Sequence, residues 1–398
     1  MKYKTIFLLA CLGFLVPAIA QEEHKEKAFQ LGIVPSLSLN GRDAAGIVNH
    51  FSANLLWGVS AGVAGFEANG IGNNTFGNVA GYQASGLINL VEGDVHGFQG
   101  AGFMNITGRV RGAQIAGFMN ITGDVEQAQI AGFMNIVNSS VLGFQGAGFM
   151  NINRSMQGLQ FAGFMNISDT VQGMQYVGFM NIAESVEGLQ YAGFMNIAGK
   201  VKGMQSAGFM NIADKVDGVM MAGFLNIAQE CDYPIAPVNI IENGRMKLVL
   251  SANDVGTTNL SFKSGNKTYG VVGAGYNEQK EPLKYHVNAA LGFSQPLMSK
   301  LVLHLEAGSA FYIDRLEDEN DLENRGVNIH SIKALFDVSL TRRIGLYAAP
   351  TLNYMVTNRS EAADLIESPL YEKSCDCNSG RFQKLFLGAE AGVYFSFK

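Results

Sequence analysis

From residue 97 to residue 227 the chain repeats one pattern of apolar and polar positions, Gly-x-Gln-x-Ala-Gly-Phe-Met-Asn-Ile-x-x-x-Val-x. The core Ala-Gly-Phe-Met-Asn-Ile begins at Ala101, Ala116, Ala131, Ala147, Ala162, Val177, Ala192, Ala207 and Ala222, with Val177 in place of Ala and Leu225 in place of Met. The steps are 15 residues, with a single 16 between Ala131 and Ala147. Fainter copies lie upstream, from Gly81 and from Gly65. Within a unit the alternation has period two: Gln, Ala, Phe and Asn share one parity, while Gly, Met, Ile and variable apolar residues share the other. Two glycines per unit and the absence of a 3.6-residue stripe exclude helix, so the units are predicted as β. Charged residues such as Arg109, Arg111, Glu184, Lys200 and Asp217 fall between the repeat Ile and the next repeat Gly, together with the one inserted residue. That window is expected to be a solvent-exposed turn, where insertion is tolerated.

Strict periodicity means that each unit buries its apolar residues only against its neighbours. Two arrangements fit. In a parallel β-solenoid, identical residues stack at ~4.8 Å. Asn105, Asn120, Asn135, Asn151, Asn166, Asn181, Asn196, Asn211 and Asn226 then form an amide ladder. Gln114, Gln129, Gln145, Gln160, Gln175, Gln190 and Gln205 form a second. Phe103, Phe118, Phe133, Phe149, Phe164, Phe179, Phe194, Phe209 and Phe224 stack ring on ring. Alternatively, each ten-residue segment is a strand of one large membrane barrel, since ~9–11 residues suffice to cross, with Gln and Asn lining the lumen. Antiparallel strands would demand a repeat two strands long and unlike turns on the two sides, whereas here every turn is alike, so the solenoid is favoured. It leaves Leu159, Phe161, Tyr176 and Tyr191 in need of cover.

Past residue 246 longer alternating strands appear. In the last one, Leu385, Leu387, Ala389, Ala391, Val393, Phe395 and Phe397 share a face opposite Gly388, Glu390, Tyr394 and Ser396. Strands near residues 285–293, 301–314, 332–340 and 344–356 repeat the pattern, and turns at 299–300 and 341–343 alternate with long polar segments at 315–326 and 357–381. Such strands and connections predict an outer-membrane-type antiparallel β-barrel. Eight strands are expected from Met246 onward, and two more at 29–39 and 50–63. The fold class is therefore all-β, solenoid plus barrel, divided as 1–20 export signal, 21–64 N-terminal barrel strands, 65–230 repeat array, 231–245 linker and 246–398 C-terminal barrel strands. With both chain ends periplasmic, the array would leave between the second and third strands.

The export signal rests on Lys2 and Lys4, the apolar run from Ile6 to Val16, and Ala18-Ile19-Ala20 as a small-x-small cleavage site. Cleavage leaves Cys231, Cys375 and Cys377, an odd number that cannot pair fully within one chain. Composition narrows the function classes. Only 16% of the 398 residues are charged, the net charge is −6, and no Lys/Arg cluster stands out. This excludes a nucleic-acid binder. Glycine, 48 residues, is enriched while proline numbers only 8, which excludes a Pro-rich disordered chain.

The Gly-x-Gln-x-Ala-Gly-Phe-Met-Asn-Ile units resemble those of the surface-repeat family of Gram-negative envelope proteins, which carry tandem Gly-x-Gln-x-x-Gly-x-x-Asn repeats after an export signal. The likeness covers about residues 41–227. It implies a cell-envelope location and no catalytic residues.

Candidate chemistry is sparse. His286, His304, Glu306, Asp337 and Glu390 are expected to face the barrel interior, where they read as a hydrogen-bonded lumenal network or, as the sharper alternative, a hydrolase site. Gly58-Val59-Ser60-Ala61-Gly62 has the spacing of a nucleophile elbow without the following helix. The acidic stretch 317–321 reads as a solvated loop rather than a Ca²⁺ site, and the repeat Met as packing rather than copper ligands. No cofactor is expected. Three functions follow: a non-enzymatic outer-membrane or cell-surface repeat protein with a structural or binding role, a pore for small solutes, or a barrel hydrolase. The expected partners are outer-membrane lipid and an envelope protein or glycan.

Overall fold

The computed structural model describes residues 25–278, 283–298, 300–313, 326–374 and 381–397. The expected export signal with Lys2, Lys4 and Cys11, the acidic stretch 317–321, and Cys375 and Cys377 lie outside the described residues. The architecture is all-β: a β-solenoid and a closed eight-strand antiparallel barrel. The chain divides into two compact units, Met1–Gly112 and Ala113–Lys398.

In the first unit, parallel strands stack on two faces. Lys25–Gly32, Ile47–Asn54, Gly62–Asn69, Val79–Ser85 and Val95–Ala101 follow one another on one face. Trp57–Ser60, Gly72–Thr75, Ile88–Val91 and the start of Met104–Ala116 follow on the other. The segments at 29–39 and 50–63, expected as barrel strands, are therefore rungs of the solenoid. The physical reason is register: Phe29, Phe51, Phe66, Tyr82 and Phe98 align in one row. The inside of these rungs is packed by Val63, Val79, Val91, Val95 and Val110.

In the second unit the pairing is again parallel and sets like on like: Met165 on Met180, Asn166 on Asn181, Gly173 on Gly188, Gln175 on Gln190. Successive copies run in the same direction, so the single large barrel of alternating strands does not form. Val125, Val141, Met156, Val171, Val186, Val201 and Val216 make a continuous apolar seam inside the coil, each worth roughly 1.5–3 kcal/mol by burial. The charged window is exposed but is not a turn. Met165–Val177 and its successors run as strand through it, with Val171 and its counterparts pointing inward. In the second unit's array the strand opens in two copies, between Met134–Val137 and Ser140–Ala147, where the extra residue falls, and between Met150–Ile152 and Ser155–Ala162.

The corner lies instead at Gly-Phe, and it breaks the parity read from the sequence. Asn166 and Gln175 are buried while Phe179 and Phe194 are 37% exposed. Extended backbone alone would put Phe and Asn on one side; the bend at Gly178-Phe179 turns the ring outward. A Cβ on Gly178 would run into the carbonyl oxygen of Gly163, and one on Gly173, at φ +132°, into that of Gly158. Close rung-to-rung approach thus favours glycine in both rows, although Gln127 stands in one of them.

The array also outlasts its expected end. Leu225–Ile235 places Cys231 opposite Val216 in the valine row, and Val238–Ile241 adds one more rung, with Asn239 opposite Asn226. Most of the expected linker 231–245 is therefore solenoid. From there the chain enters the barrel, whose strands are β1 (Arg245–Asn253), β2 (Thr258–Gly265), β3 (Thr268–Tyr276), β4 (Tyr285–Pro296), β5 (Leu301–Ile313), β6 (Val327–Ser339), β7 (Ile344–Thr357) and β8 (Phe382–Ser396). All neighbours are antiparallel, and β8 closes on both β7 and β1. Chain entry, chain exit and the short connections 266–267, 297–300 and 340–343 share one end; at the other end 254–257 is equally short, while 277–284, 314–326 and 358–381 are longer.

Candidate functional site

The array interior is built from two amide rows. In the second unit Asn166 Nδ2 donates to Asn181 Oδ1 at 3.0 Å, and the bond recurs from Asn120 to Asn239. From Asn120 to Asn211 the other Nδ2 proton goes to a backbone carbonyl ten or eleven residues on, as from Asn166 to Tyr176 at 3.1 Å and from Asn181 to Tyr191 at 2.7 Å; Asn226 donates instead to the Met220 carbonyl at 2.9 Å. That second bond ties one face of the coil to the other and fixes which way each amide points. The Gln row runs the opposite way. Gln175 Nε2 donates back to Gln160 Oε1 at 2.6 Å, and Gln190 to Gln175 at 3.1 Å. In the first unit the same two senses hold, Asn73 to Asn89 to Asn105 and Gln99 to Gln83. Burying these amides is tolerable because they are hydrogen-bonded.

The rows end differently. The Asn row runs into the barrel: Asn239 accepts from Asn226 at 2.9 Å, its backbone N–H donates to Ser264 Oγ at 2.9 Å, and its Nδ2 donates to the Ala236 and Ser264 carbonyls at 2.9 and 3.1 Å. The Gln row stops at Gln205, because the next position is the buried Met220; Gln205 Oε1 is buried without a donor. Ser60, at the elbow-like spacing, is buried and bonded to Thr75. Cys231 is buried, and desolvation pushes its thiol up to about 11, so it acts as a packing residue.

On the outside, Phe118 to Phe224 form one stack with ring centroids 4.8–5.3 Å apart. Ring spacing equals strand spacing, so the row is an outcome of the register. Beside it Tyr176 and Tyr191 stack at 4.9 Å and are 45% and 44% exposed. Of the apolar positions that the sequence leaves in need of cover, Leu159, Tyr176 and Tyr191 are exposed and Phe161 is half-buried.

The barrel lumen holds the second candidate. His286, His304, Glu306, Asp337 and Glu390 are buried there, as expected. Sequence reasoning missed their partners. Asp337 on β6 receives Lys247 of β1 at 2.6 Å, Tyr394 of β8 at 2.6 Å and His304 of β5 at 3.3 Å. Glu306 is held by Lys263 and by Tyr269 at 2.7 Å; Glu390 by Lys333 and by Tyr347 at 2.5 Å. The missing signal was parity, since Lys333 and Asp337 fall on one face of β6 and Tyr394 shares that of Glu390 on β8. Each carboxylate is thus neutralised by a lysine and capped by a tyrosine, which suits a structural network better than a general base. Among the described residues no serine, threonine or cysteine is hydrogen-bonded to His286 or His304, and no three His, Cys, Asp or Glu side chains group as a metal site. On the outward face Ser309 Oγ and His330 Nδ1 lie 2.7 Å apart.

No protein-family model matches the chain, and neither a characterised protein nor a solved structure with detectable similarity to it is found.

Proposed function

We propose that the chain is a non-enzymatic outer-membrane repeat protein: the barrel is the lipid anchor, and the array is a regular surface that binds or spaces envelope components. One observation carries this reading. The barrel is inverted relative to a water-soluble domain, with charge inside and apolar side chains outside. Leu250, Leu260, Leu291, Leu305, Ile332 and Leu387 are 48–66% exposed, while the lysine–carboxylate pairs are buried. In water such an outer surface is costly; against hydrocarbon it is the stable arrangement. The likeness of the repeats to Gram-negative surface repeats supports the same compartment. Short turns and both barrel ends share one side, so by the rule of bacterial barrels that side faces the periplasm, and the array enters the barrel from it. The ion-paired lumen argues against a pore.

The test is expression in a Gram-negative host. The anchor reading expects recovery in the outer-membrane fraction, heat-modifiable gel mobility, and no conductance steps in planar bilayers. A chain that stays in solution without detergent defeats the reading, and regular conductance would favour the pore.

A further inference from the structure

The short-turn end of the barrel is hollow. A cavity of about 520 Å³ opens there, bounded by the lumen, by the turn residues Asn266 and Lys267, and by Tyr233 from the last long strand of the array. That volume lies within the ~300–1,000 Å³ of small-molecule sites. Its deep wall is apolar, made by Val249, Val302 and Leu335 with the rings of Tyr269, Tyr347 and Tyr394. Its charge is unbalanced. Four cations line it, Arg245, Lys247, Lys263 and Lys267. Three have a carboxylate of their own: Lys247 has Asp337, Lys263 has Glu306, and Lys267 has Asp232. Arg245 is exposed and makes no ion pair among the described residues, which leaves one positive charge over.

A second unpaired group belongs to the same lining. His304 is 9% exposed and lines the cavity; its Nε2 faces the carboxylate of Asp337 at 3.3 Å, and its Nδ1 is buried without a partner. With Nε2 protonated toward Asp337, Nδ1 of the neutral ring presents a lone pair and needs a donor. A carboxylate is the natural counterpart of a free guanidinium, and a hydroxyl is the natural donor to a buried imidazole nitrogen.

We infer that this cavity binds a small hydroxy-carboxylic acid with an apolar body. The carboxylate sits against Arg245, the hydrocarbon lies along Val249, Val302 and Leu335, and the hydroxyl donates to His304 Nδ1. This site goes beyond the anchoring role. The cavity belongs to the barrel whether or not lipid surrounds it, so the titration is run in nanodiscs if the chain is membrane-bound and in buffer if it is not, and neither compartment result decides it.

The experiment is calorimetric titration of the full chain with 10-hydroxydecanoate, decanoate and 1,10-decanediol, with empty nanodiscs as the partition reference. Saturable binding of 10-hydroxydecanoate is expected. Decanoate, lacking the donor, and decanediol, lacking the charge, should each bind at least about tenfold more weakly. Arg245→Gln, an exposed change that leaves the lumenal pairs intact, should weaken 10-hydroxydecanoate at least about tenfold and leave decanediol unchanged. Heats that match empty discs, equal affinity for all three probes, or an unaltered Arg245→Gln profile would each overturn the assignment.

Discussion

Gln83 Nε2 donates to Glu67 Oε2 at 2.8 Å, so a carboxyl group, with Ser52 on the rung before it, precedes a row that runs amide on amide from Gln83 to Gln99. Burial raises the Glu67 carboxyl above its usual range, and hydrogen bonds from Gln83, Ser52 and Thr75 only partly oppose this. The sign follows directly. When the folded-state value of an acid is raised, the unfolded chain ionises first as pH climbs past the ordinary glutamate value of ~4.3, and stability falls until the folded group ionises too. The first unit should therefore be more stable near pH 4 than near pH 7 on account of this group. Glu67→Gln extends the amide row and should raise stability at pH 7 while removing that component of the pH dependence. Chemical denaturation at both pH values checks it; a variant less stable at pH 7 would refute the reading.

Gln127 occupies the positive-φ glycine position of its rung, at φ +103°. A non-glycine residue held there costs on the order of 1–3 kcal/mol. Gln127→Gly should stabilise the second unit by about 1 kcal/mol, measured as a shift in denaturation midpoint. Gly173→Ala should do the reverse, because its Cβ would meet the Gly158 carbonyl at a positive-φ position.

Met220 leaves Gln205 Oε1 without a donor. Met220→Gln supplies one from the next rung, in the sense used throughout the row. A buried hydrogen bond contributes about 1 kcal/mol, and this gain should offset the loss of a buried thioether. The expected result is neutral to mildly stabilising, whereas a hydrophobic-to-polar change in an ordinary core would cost several kcal/mol.

Removing 15 residues, 165–179, should yield a folded chain one rung shorter, because the rung below then meets an identical rung above. Circular dichroism and thermal melting would show retained β structure. Removing seven residues instead sets Asn166 against Gly188 and Gln175 against Ile197, and should abolish the cooperative melt of the second unit.

In the barrel, Lys263→Met leaves Glu306 with Tyr269 but without its cation. Removing one partner of a buried pair typically costs ~3–5 kcal/mol. Loss of heat-modifiable folding is expected, and restoration by Lys263→Met combined with Glu306→Gln would identify the uncompensated charge as the cause.

Much of this architecture was legible because rung and repeat are the same length: stacking like on like follows from a 15-residue period, and with it the Asn, Gln and Phe rows. The barrel was legible from alternation and connection lengths. What was missed has physical causes. Parity was carried through Gly178-Phe179 as though the backbone stayed extended, which put Phe on the same side as Asn and Gln. The first rungs were lost because the turns at Pro35–Leu37 and Gly41–Gly46 stretch the step from Phe29 to Phe51, although Phe29-Gln30 repeats Phe98-Gln99. The end of the array was missed because Cys231 and Asn239 keep the row chemistry without the motif. The lumenal lysines were missed because no spacing rule links Lys263 to Glu306, which are 43 residues apart.

The two amide rows point in opposite senses, Asn toward the C-terminal end and Gln toward the N-terminal end. Their group dipoles therefore oppose one another rung by rung, and a longer stack accumulates no polarisation along its axis from this source. The opposed amide rows therefore set no preferred number of copies. Gene-level duplication or loss of a unit could then tune reach, in steps of one strand spacing, without re-engineering either end.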